Sequence, residues 1–152
     1  MLGLIIYLVV TVVAGFILSF FWLTFRSTKK RGDHSPYLTI FICMVLTTIG
    51  PFIFVELLTK VVGKDMEKAI KSAYHDGPID GKMEYYKVRW YTGKSAQALA
   101  VGTERAQWGG TDRPVMGINL EKGPDGKWFA ESYKLIYSDR RNKDGFVIPP
   151  YR

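Results

Sequence analysis

The chain has 152 residues, 47% of them hydrophobic and 23% charged, with a net charge of +7. These averages suit a water-soluble protein, but the apolar residues are not spread evenly: Met1 to Phe25 and His34 to Val55 contain no Lys, Arg, Asp or Glu. Each run is long enough to cross a bilayer, which excludes a wholly soluble chain, and a single cysteine excludes a disulfide scaffold.

The first run predicts a helix over Leu2–Phe25, about 36 Å long at about 1.5 Å per residue, against a hydrocarbon core of about 30 Å. No Lys or Arg precedes it, and it ends in Phe20-Phe21-Trp22-Leu23-Thr24-Phe25. A cleaved signal would be shorter, with a basic start, so this run reads as a retained anchor ending in an interfacial aromatic belt. The second span is expected over 37–58, kinked near Thr47 because Pro51 removes one helical hydrogen bond. Glu56 precedes Lys60 by one turn, the spacing of an i,i+4 ion pair at a membrane surface.

Between the spans, the loop 26–36 carries Arg26, Lys29, Lys30 and Arg31. Clustered basic residues place such a loop in the cytoplasm, and both termini with the C-terminal domain on the outer side, periplasmic in a bacterial inner membrane. Lys60, Lys64, Lys68 and Lys71 follow the second span and weigh the other way. Thr11, Gly15 and Ser19 recur every four residues on the first helix, and Cys43, Thr47 and Gly50 recur similarly on the second. Small residues at this spacing let membrane helices pack closely, against each other or against another integral membrane subunit.

From residue 63 onward the composition changes. Lys64 to Arg152 holds 16 Lys and Arg against 12 Asp and Glu, three of the four Trp and seven of the nine Tyr, enough for a folded domain. Asp65 is a candidate cap for a short helix Met66–His75 that would bury Met66, Ile70 and Ala73 or Tyr74, stopped by Asp76-Gly77-Pro78. Alternation predicts a strand over Glu84–Tyr91, with Tyr86, Val88 and Trp90 on one face and Lys87 and Arg89 on the other. Strands over Ala96–Thr103, Val115–Glu121 and Trp128–Tyr137 follow. The last places Tyr133, Leu135 and Tyr137 together, after a turn at Gly123-Pro124-Asp125-Gly126. Arg140–Arg152 reads as an irregular tail. The expected fold is therefore a two-helix transmembrane hairpin (1–62) followed by a small α+β domain (63–152) with a mainly antiparallel sheet.

The residue patterns offer little chemistry. His34 and His75 flank the second span, no Cys or His pair has metal-ligand spacing, and there is no G-x-S-x-G. Gly109-Gly110-Thr111 lacks the Lys of a phosphate loop and reads as a turn. Lys87, Arg89 and Lys94 among Tyr85, Trp90 and Tyr91 superficially suit an RNA-binding sheet, but the evenly spread charge argues against nucleic acid. No catalytic, metal or cofactor site is expected. Trp90, Tyr91 and Trp108 are the candidate anchors of a protein interface.

The order of the tail supports a resemblance. An anchor leads into His75-Asp76-Gly77-Pro78-Ile79, then Ala96-Gln97-Ala98-Leu99-Ala100-Val101-Gly102, then the hairpin Ile118 to Trp128 with its Glu121-Lys122-Gly123-Pro124-Asp125-Gly126-Lys127-Trp128 core. From about Asp65 to Ser138 this resembles the domain shared by the cytochrome c oxidase assembly factor one family and a mitochondrial presequence-translocase subunit, although two spans stand where one anchor is usual. The resemblance implies an anchored α+β domain without enzymatic activity that docks onto other membrane complexes. A membrane-tethered small-ligand or sensor domain is the alternative.

Overall fold

The structure is a computed structural model, and it describes residues 2–25, 35–142, 145 and 147. The basic residues Arg26, Lys29, Lys30 and Arg31, His34, and most of the tail beyond Asn142 lie outside the described residues. The elements run α1 (Leu2–Phe25), α2 (Pro36–His75), β1 (Lys82–Tyr91), β2 (Ser95–Arg105), β3 (Thr111–Asp112), β4 (Val115–Lys122) and β5 (Trp128–Tyr137). The chain divides into two compact units, Met1–Phe54 and Val55–Arg152.

Both helices contain apolar stretches long enough to cross a membrane. α2 differs from the expected pair of helices. It is one 40-residue helix that runs through Pro51, Gly63 and Asp65, so the anticipated break and cap before Met66 do not occur. The reason lies in packing. Thr59, Val62, Met66, Ile70, Ala73 and Tyr74 keep a helical period across the anticipated boundary, and that stripe faces the sheet. Gly63 serves the same contact, because a Cβ there would stand 3.1 Å from the Tyr86 ring.

In Val55–Arg152 the strands form an antiparallel sheet of order β1-β2-β4-β5, with the short β3 paired to the end of β2. α2 covers one face. On that face the central strand β2 offers only Ala96, Ala98, Ala100 and Gly102, and Met66, Ile70 and Tyr74 fill the space these small residues leave. Met116, Ile118 and Leu120 of β4 complete the core as expected. α2 runs antiparallel to β1: Thr59 Oγ1 accepts the Val88 N–H at 2.9 Å, Gly63 meets Tyr86, and Tyr74 reaches Gly102.

Both edge strands carry two extra residues: Glu84 and Arg89 in β1, Glu131 and Ile136 in β5. Each bulge inverts the alternation beyond it and bends the edge, which discourages edge-to-edge pairing. Two expectations are corrected by this. Trp90 pairs with Gln97 and shares its face, away from Val88 and the helix. Tyr137 joins Ile136, Leu99, Val101 and Val115 in a second cluster on the face away from α2, separated from Tyr133 and Leu135.

Candidate functional site

In the helical unit, the residues expected to pack do so in part. Thr11, Gly15 and Ser19 are buried along α1. A Cβ on Gly15 would lie 3.0 Å from both the Met44 Cα and Thr47 Oγ1. Thr47 Oγ1 lies within reach of the carbonyls of Thr11 (3.0 Å), Cys43 (2.9 Å) and Met44 (3.0 Å), so its single proton can serve either helix. Tyr7 adds a contact that periodicity of small residues does not reveal: its hydroxyl donates to the Thr48 carbonyl at 2.6 Å. Cys43 is half-buried, whereas Gly50 lies off this seam, with nothing within 4 Å of where a Cβ would stand.

In the sheet unit, no helix or strand among the described residues covers the face away from α2: Tyr85, Ile136, Tyr137 and Val147 bury Leu99, Val101 and Val115 on it, and the part nearer the hairpin tips stays exposed. A polar row crosses all four long strands at one level. Arg89 Nη1 approaches Gln97 Oε1 at 3.4 Å, Gln97 Nε2 donates to Asn119 Oδ1 at 2.9 Å, and Asn119 Nδ2 donates to Ser132 Oγ at 3.0 Å. Residues paired across strands share a face, so Trp90, Lys87, Phe129 and Lys134 stand around this row. The row was missed at the sequence level. Gln97 and Asn119 interrupt apolar neighbours with the period of a strand, but only the register brings them together.

Trp90, Tyr91 and Trp108 are all exposed, at 41%, 39% and 85%. They do not form one patch. Trp90 and Tyr91 pair with Gln97 and Ala96 near the start of β2, whereas Trp108 sits in the loop after Arg105 at its other end. At about 3.4 Å per residue the intervening strand is about 30 Å long.

Beneath that far end, Tyr74 is buried with its hydroxyl unpartnered, as is Glu104 Oε2. Glu104 Oε1 accepts from Ser138 Oγ at 2.7 Å, and the neighbouring Asp112 accepts the Asp139 N–H at 2.7 Å. Burial, aided by the Glu104 charge, pushes the Tyr74 phenol up to about 12. No group of His, Cys, Asp or Glu among the described residues is arranged to hold a metal ion. His75 and Asp76 are exposed at the helix end, with 3.9 Å between Nδ1 and Oδ1. Gly109 takes φ +89° in the turn between β2 and β3, the role expected for Gly109-Gly110-Thr111. An open groove of about 400 Å³ lies between the last turns of α2 and β5, lined by Ala69, Ala73, Asp76, Trp128 and Tyr133 among others.

The class the geometry defines is a pair of long apolar helices leading into an antiparallel sheet with one face under a helix and, among the described residues, no helix or strand over the other. Comparison of the chain with family models, with curated proteins and with solved structures finds no match.

Proposed function

We propose that the chain is a non-enzymatic, membrane-anchored accessory or assembly subunit of a larger membrane complex. In this reading α1 and α2 cross the bilayer as a hairpin, and the seam of Thr11, Gly15, Ser19 and Thr47 holds them together. The basic loop faces the cytoplasm, and the sheet unit docks on the water-exposed face of a partner subunit on the other side. The observation that carries the reading is the exposed polar part of the sheet face away from α2. Its row of Gln97, Asn119 and Ser132 already pairs both amide oxygens and one N–H of each amide internally, so a partner that covers it has few groups left to satisfy. The resemblance of Asp65–Ser138 to anchored assembly-factor domains points the same way.

Extraction in mild detergent through a C-terminal tag, followed by native mass analysis, tests the proposal. A stoichiometric assembly much larger than 17.3 kDa is the expected result, and Asn119→Arg in the polar row should release the companion. A bare monomer would overturn it. A monomer bearing a small molecule would favour the alternative, a tethered ligand-binding domain using the groove between α2 and β5.

A further inference from the structure

The tips of the two β-hairpins lie at one end of the sheet unit. The Lys122 N–H donates to the Lys94 carbonyl at 2.8 Å, which sets the β1–β2 turn beside the β4–β5 turn. α2 fixes which end this is. Thr59 meets Val88 while Tyr74 meets Gly102, so β1 runs on past Thr59 toward Val55. From Val88 to Tyr91 is about 10 Å of strand, the rise of about seven helical residues. The tips therefore reach up to about two helical turns past Thr59 on its Val55 side, beside the end of the second apolar stretch of the sequence.

The side chains at this end are those of a water–lipid boundary. On α2, Leu57 and Val61 are exposed, and Trp90 and Phe129 are exposed on the hairpins. Tyr91 and Trp128 reach across Ala96 and Leu120 until their ring centroids are 5.9 Å apart, which closes the core at this end with amphipathic rings. Lys60, Lys94, Lys122 and Lys127 surround them, and the Lys122 ammonium lies 5.9 Å from the Trp128 ring centre. Trp and Tyr with long lysines are favoured where one end of a side chain is dry and the other wet. Glu56, Glu121 and Asp125 balance three of the four lysines, and Glu56 and Asp125 are each paired with one at 3.8 Å. Attraction to net negative charge is therefore minor, and apolar and aromatic contact dominates.

We infer that the hairpin-tip end of the sheet unit, built from Trp90, Tyr91, Trp128 and Phe129 with Lys94, Lys122 and Lys127, rests in the headgroup layer of a lipid bilayer. The inference depends on the membrane-anchored reading above. It turns Trp90 and Tyr91 toward lipid and leaves the far end, with Trp108, for a protein partner.

The test uses the full chain in phosphatidylcholine nanodiscs, with and without brominated acyl chains that quench tryptophan fluorescence. Trp22→Phe, Trp90→Phe and Trp108→Phe are compared with the unaltered protein. All three side chains are exposed, so the conservative change preserves the fold. Trp90→Phe should lower the quenched part of the signal by roughly a third, as the loss of one of three lipid-facing tryptophans (Trp22, Trp90 and Trp128) does. Trp108→Phe should raise the quenched fraction, because it removes a tryptophan remote from lipid. If Trp90→Phe leaves the quenched part unchanged while Trp22→Phe lowers it, the inference fails and the anchored reading stands. If Trp22→Phe also leaves it unchanged, the anchored reading fails and takes the inference with it.

Discussion

In Met1–Phe54 the large apolar side chains point outward; Phe20, Phe25 and Leu46 are 69%, 79% and 63% exposed. In Val55–Arg152 residues of the same kind, Met66, Ile70 and Ile118, are wholly buried. In the membrane-anchored reading proposed above, the first unit leaves its apolar surface for a solvent that is itself apolar. The second makes its own dry interior in water. A helix that is apolar all round cannot gain from burial against lipid tails, so its specific contacts are backbone approach and hydrogen bonds at Gly15, Thr47 and Tyr7. The sheet unit gains from every apolar group it removes from water, so small residues on β2 and large ones on α2 must fit closely.

Truncating matched residues probes this contrast most strongly. Ile70→Ala in the sheet unit should destabilise it by about 3 kcal/mol, combining lost burial with a cavity. Ile53→Ala, on the exposed side of α2, should change stability by under about 0.5 kcal/mol, because lipid or detergent occupies the vacated space. Urea unfolding of the full chain in mild detergent, followed by tryptophan fluorescence, compares the two; equal losses would erase the distinction.

A smaller effect should appear on raising the pH. The folded unit holds the Tyr74 phenol neutral to about 12, whereas an unfolded tyrosine ionises near about 10. Stability is therefore full below about pH 10 and declines as the pH rises through about 12, because the unfolded chain releases the proton first. Tyr86 is shifted the same way, mainly by burial, and adds to the slope. Tyr74→Phe should flatten most of the decline. Because it also removes an unpartnered buried hydroxyl, it should leave stability at neutral pH unchanged or raise it by about 1 kcal/mol. Thermal melts of both proteins across this range decide the matter, and an unchanged slope in the variant would assign the alkaline loss elsewhere.

The smallest expected change is Thr47→Val. It removes the hydroxyl that reaches the Thr11 carbonyl while keeping the side-chain shape, and should cost about 0.6 kcal/mol of helix association. Titration with a denaturing detergent measures it, and the sheet unit should be unaffected.

Much of the fold was legible because it follows from local pattern. Charge-free runs, the turn at Gly123-Pro124-Asp125-Gly126 and alternation in Val115–Lys122 are written in consecutive residues. The bulges were not: Arg89 and Ile136 look like ordinary members of their strands, and their extra position is fixed only by the pairing partners on the neighbouring strand. The candidate interface was half legible for the same reason. Trp90, Tyr91 and Trp108 could be named as candidate interface anchors, yet the face Trp90 takes and their division between two ends of β2 are properties of register.

What the sequence by itself determined is the division into an apolar part and a mixed part, since hydration of charged and apolar groups depends on composition and local spacing alone. What only the tertiary structure decided is that α2 crosses that division without a break. A Gly63-Lys64-Asp65 segment that favours a helix boundary locally stays helical because the stripe from Thr59 to Tyr74 buries its face on the sheet, and Gly63 leaves the room that Tyr86 needs.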